Sequence, residues 1–141
     1  MKDEFLKDAP LFEGLNDSER AALSTGFADG EATAGNSLFR AGEAADALIL
    51  IGQGFARITT ESGQVLATLG PGSVLGDNAL FCSAPHDVNG TAVGSVKYWT
   101  LSDRRLREII LQQPALGLRL GENFGSQIAQ MEEYLVWRLQ K

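Results

Sequence analysis

The sequence is poor in the residues from which most metal sites and catalytic sites are built. Its 141 residues include one cysteine, Cys82, and one histidine, His86. One cysteine excludes an internal disulfide framework and a multi-cysteine metal cluster. One histidine is too few for the histidine and carboxylate metal site of a cupin-type enzyme, and neither a Ser/His/Asp set nor a carboxylate pair stands out. The sequence therefore predicts a protein that is not an enzyme and holds no metal.

Long apolar runs and excess positive charge are also absent. No run of about 18 apolar residues occurs, and the N-terminus lacks the apolar stretch of a signal peptide, so no membrane contact is predicted and the cytoplasm is the default location. Lysine and arginine number 12 against 18 aspartates and glutamates, which gives a net charge of −6. Because nucleic-acid binding depends on basic surface, we expect no direct contact with nucleic acid.

The chain divides into three parts of one predicted domain, residues 1–141. Residues 1–31 are predicted to be helical, with Asn16 or Asp17 as a helix cap. Residues 32–101 alternate short apolar runs with glycines, a pattern typical of short strands in a sandwich, barrel or roll. Residues 102–141 return to a helical pattern. The predicted fold class is mainly β with flanking helices: a jelly-roll-like β-roll followed by a long C-terminal helix.

The last helix carries one apolar stripe after a break at Gln113-Pro114. The stripe consists of Leu116, Leu120, Phe124, Ile128, Met131, Leu135 and Leu139. About 25 residues of helix, roughly 38 Å long, exceed what the roll alone would cover. Two interpretations stay open, a core helix within one chain and pairing between two chains. The second predicts a homodimer with Leu120, Phe124, Ile128, Met131 and Leu135 in the interface.

Several short motifs occur in the order found in one known family. They are Pro10-Leu11-Phe12, Gly14-Leu15, Gly35-Asn36-Ser37-Leu38-Phe39, Gly42-Glu43-Ala44-Ala45-Asp46-Ala47-Leu48, Leu69-Gly70-Pro71-Gly72 and Gly76-Asp77-Asn78-Ala79-Leu80. With these motifs the chain resembles the cyclic-nucleotide-binding domain of catabolite-activator/FNR (CRP/FNR) transcription regulators, kinase regulatory subunits and gated channels. The resemblance covers nearly the whole chain and implies an eight-stranded β-roll flanked by helices.

The resemblance also implies a ligand site, with cAMP or cGMP as the ligand. A short helix that begins at residues 76–80 would point its N–H groups into the hollow of the roll at a cyclic phosphate. Asp77, one methylene shorter than the family's glutamate, would accept a hydrogen bond from the ribose 2′-hydroxyl. The implied ligand-binding residues are Gly76, Asp77, Asn78, Ala79, Leu80, His86, Asp87, Val88 and Met131.

Two parts of the chain depart from the family pattern. His86 stands where the family has an arginine that pairs with the phosphate, and Asp87 beside it would repel an anion. Losing a charge-assisted pair costs about 2–4 kcal/mol, or roughly 30- to 1,000-fold in affinity. Met131 and Glu132 stand where the catabolite-activator branch has a Thr-Ser pair that contacts adenine. A cyclic nucleotide, another small ligand and a ligand-free structural domain all stay open.

His86 and Cys82 also have simple structural interpretations. His86 could be a phosphate partner, a haem or metal ligand, or a surface loop residue, and we expect the last. We expect Cys82 to be a small buried hydrophobe.

The sequence thus predicts the effector domain of a transcriptional regulator that dimerises through residues 115–141. In the family a winged helix-turn-helix domain follows this helix, whereas the chain stops at Gln140-Lys141, so the natural protein either ends there or continues. The alternative is a stand-alone or degenerate module that acts by protein–protein interaction without nucleotide.

Overall fold

A computed structural model describes residues 2–126, apart from the side chain of Asn78. The N-terminal segment contains helix α1 (Lys2–Asp8), a 3₁₀ turn (Pro10–Phe12) and helix α2 (Asp17–Gly26). Asn16 caps α2 as predicted, because its side chain accepts from the Glu19 N–H while the Glu19 carboxylate accepts from the Asn16 N–H. Leu11 and Phe12 of the 3₁₀ turn are buried, so the turn is part of the core.

Eight strands form two antiparallel four-stranded sheets. Sheet A has the order β1-β8-β3-β6, and sheet B has the order β2-β7-β4-β5. The strands are β1 (Ala28–Ala32), β2 (Ser37–Phe39), β3 (Ala47–Gln53), β4 (Ala56–Thr59), β5 (Val65–Leu69), β6 (Val74–Leu75), β7 (Asn89–Ala92) and β8 (Val96–Ser102). Helix α3 (Asp77–Phe81) lies between β6 and β7. The predicted β-roll with flanking helices is confirmed.

The segment boundaries differ from the prediction at one place. β1 lies largely inside the range 1–31 that the sequence assigns to helix, since the helical segment ends at Gly26. The strand reads Ala-Asp-Gly-Glu-Ala, with no β-branched or aromatic residue. It forms because five consecutive residues pair with β8, so tertiary pairing outweighs its poor intrinsic strand propensity.

Two apolar clusters hold the fold together. One lies between sheet A and the helices and includes Leu48, Leu50 and Leu101, all fully buried. The other lies between the two sheets and includes Phe39, Ile51 and Val96. Alternate side chains of β3 belong to the two clusters, since Leu48 and Leu50 pack under the helices whereas Ile49 and Ile51 pack inside the roll.

The C-terminal part begins with α4 (Asp103–Gln112), capped by the Ser102 side chain. A further helix, α5, spans residues 114–126 in the described part of the chain. The predicted break at Gln113-Pro114 is therefore confirmed. Ile128, Met131 and Leu135 lie outside the described residues, and their predicted roles stay predictions.

Candidate ligand site in the roll

Gly76 brings the chain into helix α3 with a backbone conformation that favours glycine. Its φ is +82°, and a Cβ there would lie 3.0 Å from the Ala47 carbonyl oxygen and 3.4 Å from His86 Cε1. The first α3 hydrogen bond runs from the Leu80 N–H to the Gly76 carbonyl at 3.0 Å. The expected helix start at residues 76–80 is confirmed, and the His86 ring lies directly beside it.

His86 is buried, with 8% of its surface exposed, so the expectation of a surface loop residue is wrong. Its ring stacks on Phe39, with centroids 4.4 Å apart and planes 22° apart. Its backbone is held on both sides, since its N–H donates to the Glu43 carbonyl at 2.9 Å and its carbonyl accepts from the Gly42 N–H at 2.7 Å. These bonds tie the β2–β3 turn to the segment before β7 and turn the imidazole inward.

The ring nitrogens of His86 are not engaged by the protein's own hydrogen bonds. Neither nitrogen has a hydrogen-bond partner within residues 2–126. In the same residues, every fully buried side-chain nitrogen or oxygen has a hydrogen-bond partner. The ring is therefore buried and stacked, and its nitrogens form no hydrogen bond to residues 2–126. A histidine in this position can offer one N–H to an anion at the α3 start, although it lacks the bidentate, permanently charged fork of arginine.

Other predicted site residues lie in different surroundings. The Leu80 side chain packs in the helix-side core, so only its backbone can face the roll. Asp77 lines a groove of about 460 Å³ beside α1 and the 3₁₀ turn. Asp87 is exposed, Ala79 is buried, and Val88 packs against the core between the sheets. The structure thus brings Gly76 and His86 together, whereas Met131 lies outside the described residues.

Sequence reasoning missed three residues that support this site. A Cβ at Gly90 would lie 2.5 Å from the Phe39 ring, so the missing side chain leaves room for the ring on which His86 stacks. Asn89 accepts from the Ala41 N–H at 2.9 Å and donates to the Thr60 carbonyl at 3.2 Å. The partners of Asn89 lie 48 and 29 residues away in the chain, so no local pattern could reveal them.

Cys82 is exposed, so the expectation of a buried hydrophobe is wrong. The residue directly follows α3. Its neighbour Phe81, at the end of α3, packs inward instead, with its ring centroid 5.1 Å from that of Phe124. No group of three or more His, Cys, Asp or Glu side chains that could hold a metal occurs in the described part of the chain.

The first part of α5 is docked on its own chain. Leu116 and Leu120 are fully buried in the helix-side core, and Asn123 donates to the Leu11 and Glu13 carbonyls at 2.8 and 2.9 Å. Phe124 packs against the same core. The predicted placement of Leu120 in a dimer interface is therefore wrong, because its side chain has no surface left for a second chain. The apolar stripe is the docking face of this part of the helix.

The sequence of this chain is similar to proteins of one known family. The model of the cyclic nucleotide-binding domain matches residues 31–113, which is more than half of the chain. The cAMP-dependent protein kinase regulatory subunit of Yarrowia lipolytica is 36% identical over 103 residues, 72% of this chain and 27% of that protein. The CRP-like cAMP-activated global transcriptional regulator of Mycobacterium tuberculosis is 26% identical over 122 residues, 84% of this chain and 54% of that protein. The chain thus spans between a quarter and about half the length of these relatives.

Solved structures show the same fold. The N-terminal domain of a transcriptional regulator from Streptomyces coelicolor A3(2) superposes with a TM-score of 0.81 at 25% identity, covering 93% of this chain and 94% of that one. The catabolite activator protein of Thermus thermophilus superposes with a TM-score of 0.78 at 25% identity, covering 94% and 62% of the two chains. Within residues 2–126, no helix is both long enough and apolar enough to span a membrane. The chain belongs to the cyclic nucleotide-binding domain family.

Proposed function

We propose that this chain is the ligand-sensing effector domain of a transcriptional regulator, acts without catalysis in the cytoplasm, and binds a cyclic nucleotide in its roll. The observation that carries the proposal is the pairing of the α3 start with the His86 ring, inside the segment that matches the family model. Two relatives support the regulatory part of the proposal. The Mycobacterium tuberculosis relative is a cAMP-activated transcriptional regulator, and the Streptomyces coelicolor structure is a domain of a transcriptional regulator.

The proposed mode of binding uses backbone and ring together. The first turn of an α-helix presents N–H groups that have no carbonyl partner within the helix, and Gly76 allows an anion to approach them closely. A ring nitrogen of His86 donates one further hydrogen bond to the phosphate. Because a hydrogen bond to a charged group contributes about 1.5–3 kcal/mol, replacing a bidentate arginine by one imidazole donor weakens binding by about ten- to a hundredfold.

Isothermal titration calorimetry of cAMP and of cGMP tests this function. The wild-type domain is expected to bind one of them weakly, and His86→Arg is expected to tighten binding by about ten- to a hundredfold. Gln64→Arg is the matched control, since it adds the same charge at an exposed position in the β4–β5 turn. Circular dichroism establishes that each variant is folded. Tightening by both variants would show general charge attraction and contradict the site.

A second candidate function, a degenerate module that acts without nucleotide, has one observation in its favour. The stack of His86 on Phe39 places two rings close to the α3 start, where the family would hold an anion. If neither the wild type nor folded His86→Arg gives heat with millimolar cAMP or cGMP, the proposed binding of a cyclic nucleotide is refuted and this second function is favoured over it.

We further propose that the domain forms a homodimer through α5, by a face other than the docked stripe. Leu118 is 68% exposed, and a Cβ at Gly121 or Gly125 would meet no atom within 4 Å. These three residues follow at intervals of three and four, so they share one face of the helix. That face leaves room for a second backbone to approach.

Sedimentation equilibrium of Leu118→Asp tests the dimer. The variant is expected to sediment as a monomer at concentrations where the wild type is a dimer. Leu111→Asp is the matched control, because Leu111 is 81% exposed but lies on α4. A Leu118→Asp variant with the mass of the wild type would refute pairing through this face.

A further inference from the structure

A cavity outside the roll interior lies on the helix-facing side of sheet A and extends from β1 across β8 to the end of β3. It measures about 260 Å³, and its lining includes Asp29, Glu31, Trp99 and Lys97. The strand register places Asp29 opposite Trp99 and Glu31 opposite Lys97. Paired residues of antiparallel strands present their side chains on the same face, so these four side chains share one face of the sheet.

One glycine helps to make the room. A Cβ at Gly52 would lie 2.9 Å from the Trp99 ring, so the missing side chain leaves space for that ring. Trp99 is half-buried, since one side of it packs towards Phe5 with ring centroids 6.0 Å apart. The cavity is therefore a slot beside an aromatic ring, of a size that suits one long side chain.

The charges of the cavity favour a cation. Asp29 and Glu31 are exposed, and neither forms an ion pair with Lys97 or with any other cation in residues 2–126. The carboxylates outnumber the ammonium group two to one, in a chain whose net charge is −6. A guanidinium or ammonium group that enters the slot would meet two carboxylates and an aromatic ring, and both attract cations.

The strand that carries the carboxylates is also open on one side. β1 is the first strand of sheet A and pairs with β8 alone among the described strands. An extended peptide can add to such an edge by main-chain hydrogen bonds, and its alternate side chains then lie over the same face of the sheet.

We propose that β1 is a docking edge for a basic, extended segment of a partner protein, which adds as a strand and places an arginine or lysine side chain beside Trp99. Charge complementarity and the open edge together select this partner. An acidic segment would be repelled by Asp29 and Glu31, and a helix could not use the edge. The surface is separate from the α3 start and from the exposed face of α5, so binding there is compatible with a ligand in the roll and with a dimer.

The test uses a fluorescein-labelled nine-residue peptide of alternating arginine and threonine, with binding followed by fluorescence anisotropy. The whole chain is expected to bind it, and binding is expected to weaken as salt is added. Asp29→Asn combined with Glu31→Gln should weaken binding about five- to tenfold, the loss expected for two exposed charge pairs. Glu13→Gln combined with Glu61→Gln removes the same charge from exposed positions elsewhere and should leave binding unchanged.

Two further measurements separate strand addition from simple charge attraction. The same peptide methylated on its backbone nitrogens cannot pair with an edge, so it should not bind. In a Trp137→Phe variant Trp99 is the one remaining tryptophan, and its emission should change when the unlabelled peptide is added.

Four results would overturn the proposal. The first is no binding of the unmethylated peptide, and the second is equal weakening by both pairs of substitutions. The third is binding of the methylated peptide as tightly as the unmethylated one, which would show charge attraction without strand addition at the β1 edge. An unchanged Trp99 emission would place the peptide elsewhere and contradict the slot.

Discussion

The Phe39–His86 stack depends on the missing side chain at Gly90, and Gly90→Ala tests that dependence. Gly90 pairs with Phe39 on one side and with Ile58 on the other, so its backbone is fixed between two strands. A Cβ at this position would lie 2.5 and 2.7 Å from two carbons of the Phe39 ring. Carbon atoms in contact are normally about 3.5–4.0 Å apart, so the ring would have to move by about 1 Å and disturb its stack on His86.

Such overpacking costs about 1–3 kcal/mol of the free energy of unfolding. For a chain of this length, we expect the Tm of Gly90→Ala to fall by about 3–10 °C in a thermal melt followed by circular dichroism. Gly94→Ala is the matched control, because a Cβ there would meet no heavy atom within 4 Å and its φ is not positive. Its Tm should stay the same or rise slightly. Equal melting temperatures for the two variants would refute the packing role of Gly90.

Two other predictions concern the helices. Leu120→Ala should lower the free energy of unfolding by about 2–5 kcal/mol in urea denaturation because the side chain is fully buried, whereas Leu118→Ala should change it by less than about 0.5 kcal/mol at a concentration where the chain is a monomer. Similar losses for both leucines would contradict the docking of α5. Asn16→Ala removes one half of the capping box and should cost about 0.5–2 kcal/mol. Asn36→Ala, at an exposed loop position, serves as its control, and an equal loss in the two would argue against the cap.

Local sequence signals were sufficient for much of the fold. Six of the strands follow apolar runs between glycines, and a turn at residues 60–63 joins β4 to β5, with the Thr60 N–H donating to the Gln64 carbonyl. The cap at Asn16 could be predicted because a short polar side chain can accept from a helix N–H group within three residues. β1 and β6 escaped prediction. The first lacks strand-forming residues, and the second is only two residues long.

The site was less predictable because its geometry depends on distant parts of the chain. The helix start at Gly76 followed from the family resemblance, and the structure confirms it. The burial of His86 did not follow, because its ring stacks on Phe39 from a strand 47 residues earlier. The apolar stripe of α5 was recognised, but periodicity alone cannot show whether Leu120 faces its own chain or another.

The most direct test of ligand binding in the roll is the position of the nucleotide itself. In amide NMR spectra recorded during a cAMP titration, we expect shift changes concentrated at residues 76–80 and 86–88, with the β4–β5 turn unaffected. Side-chain spectra should show the His86 ring responding at the same nucleotide concentration. If millimolar cAMP and cGMP leave these signals in place, or move only signals outside the roll, the imidazole at the α3 start does not hold a phosphate.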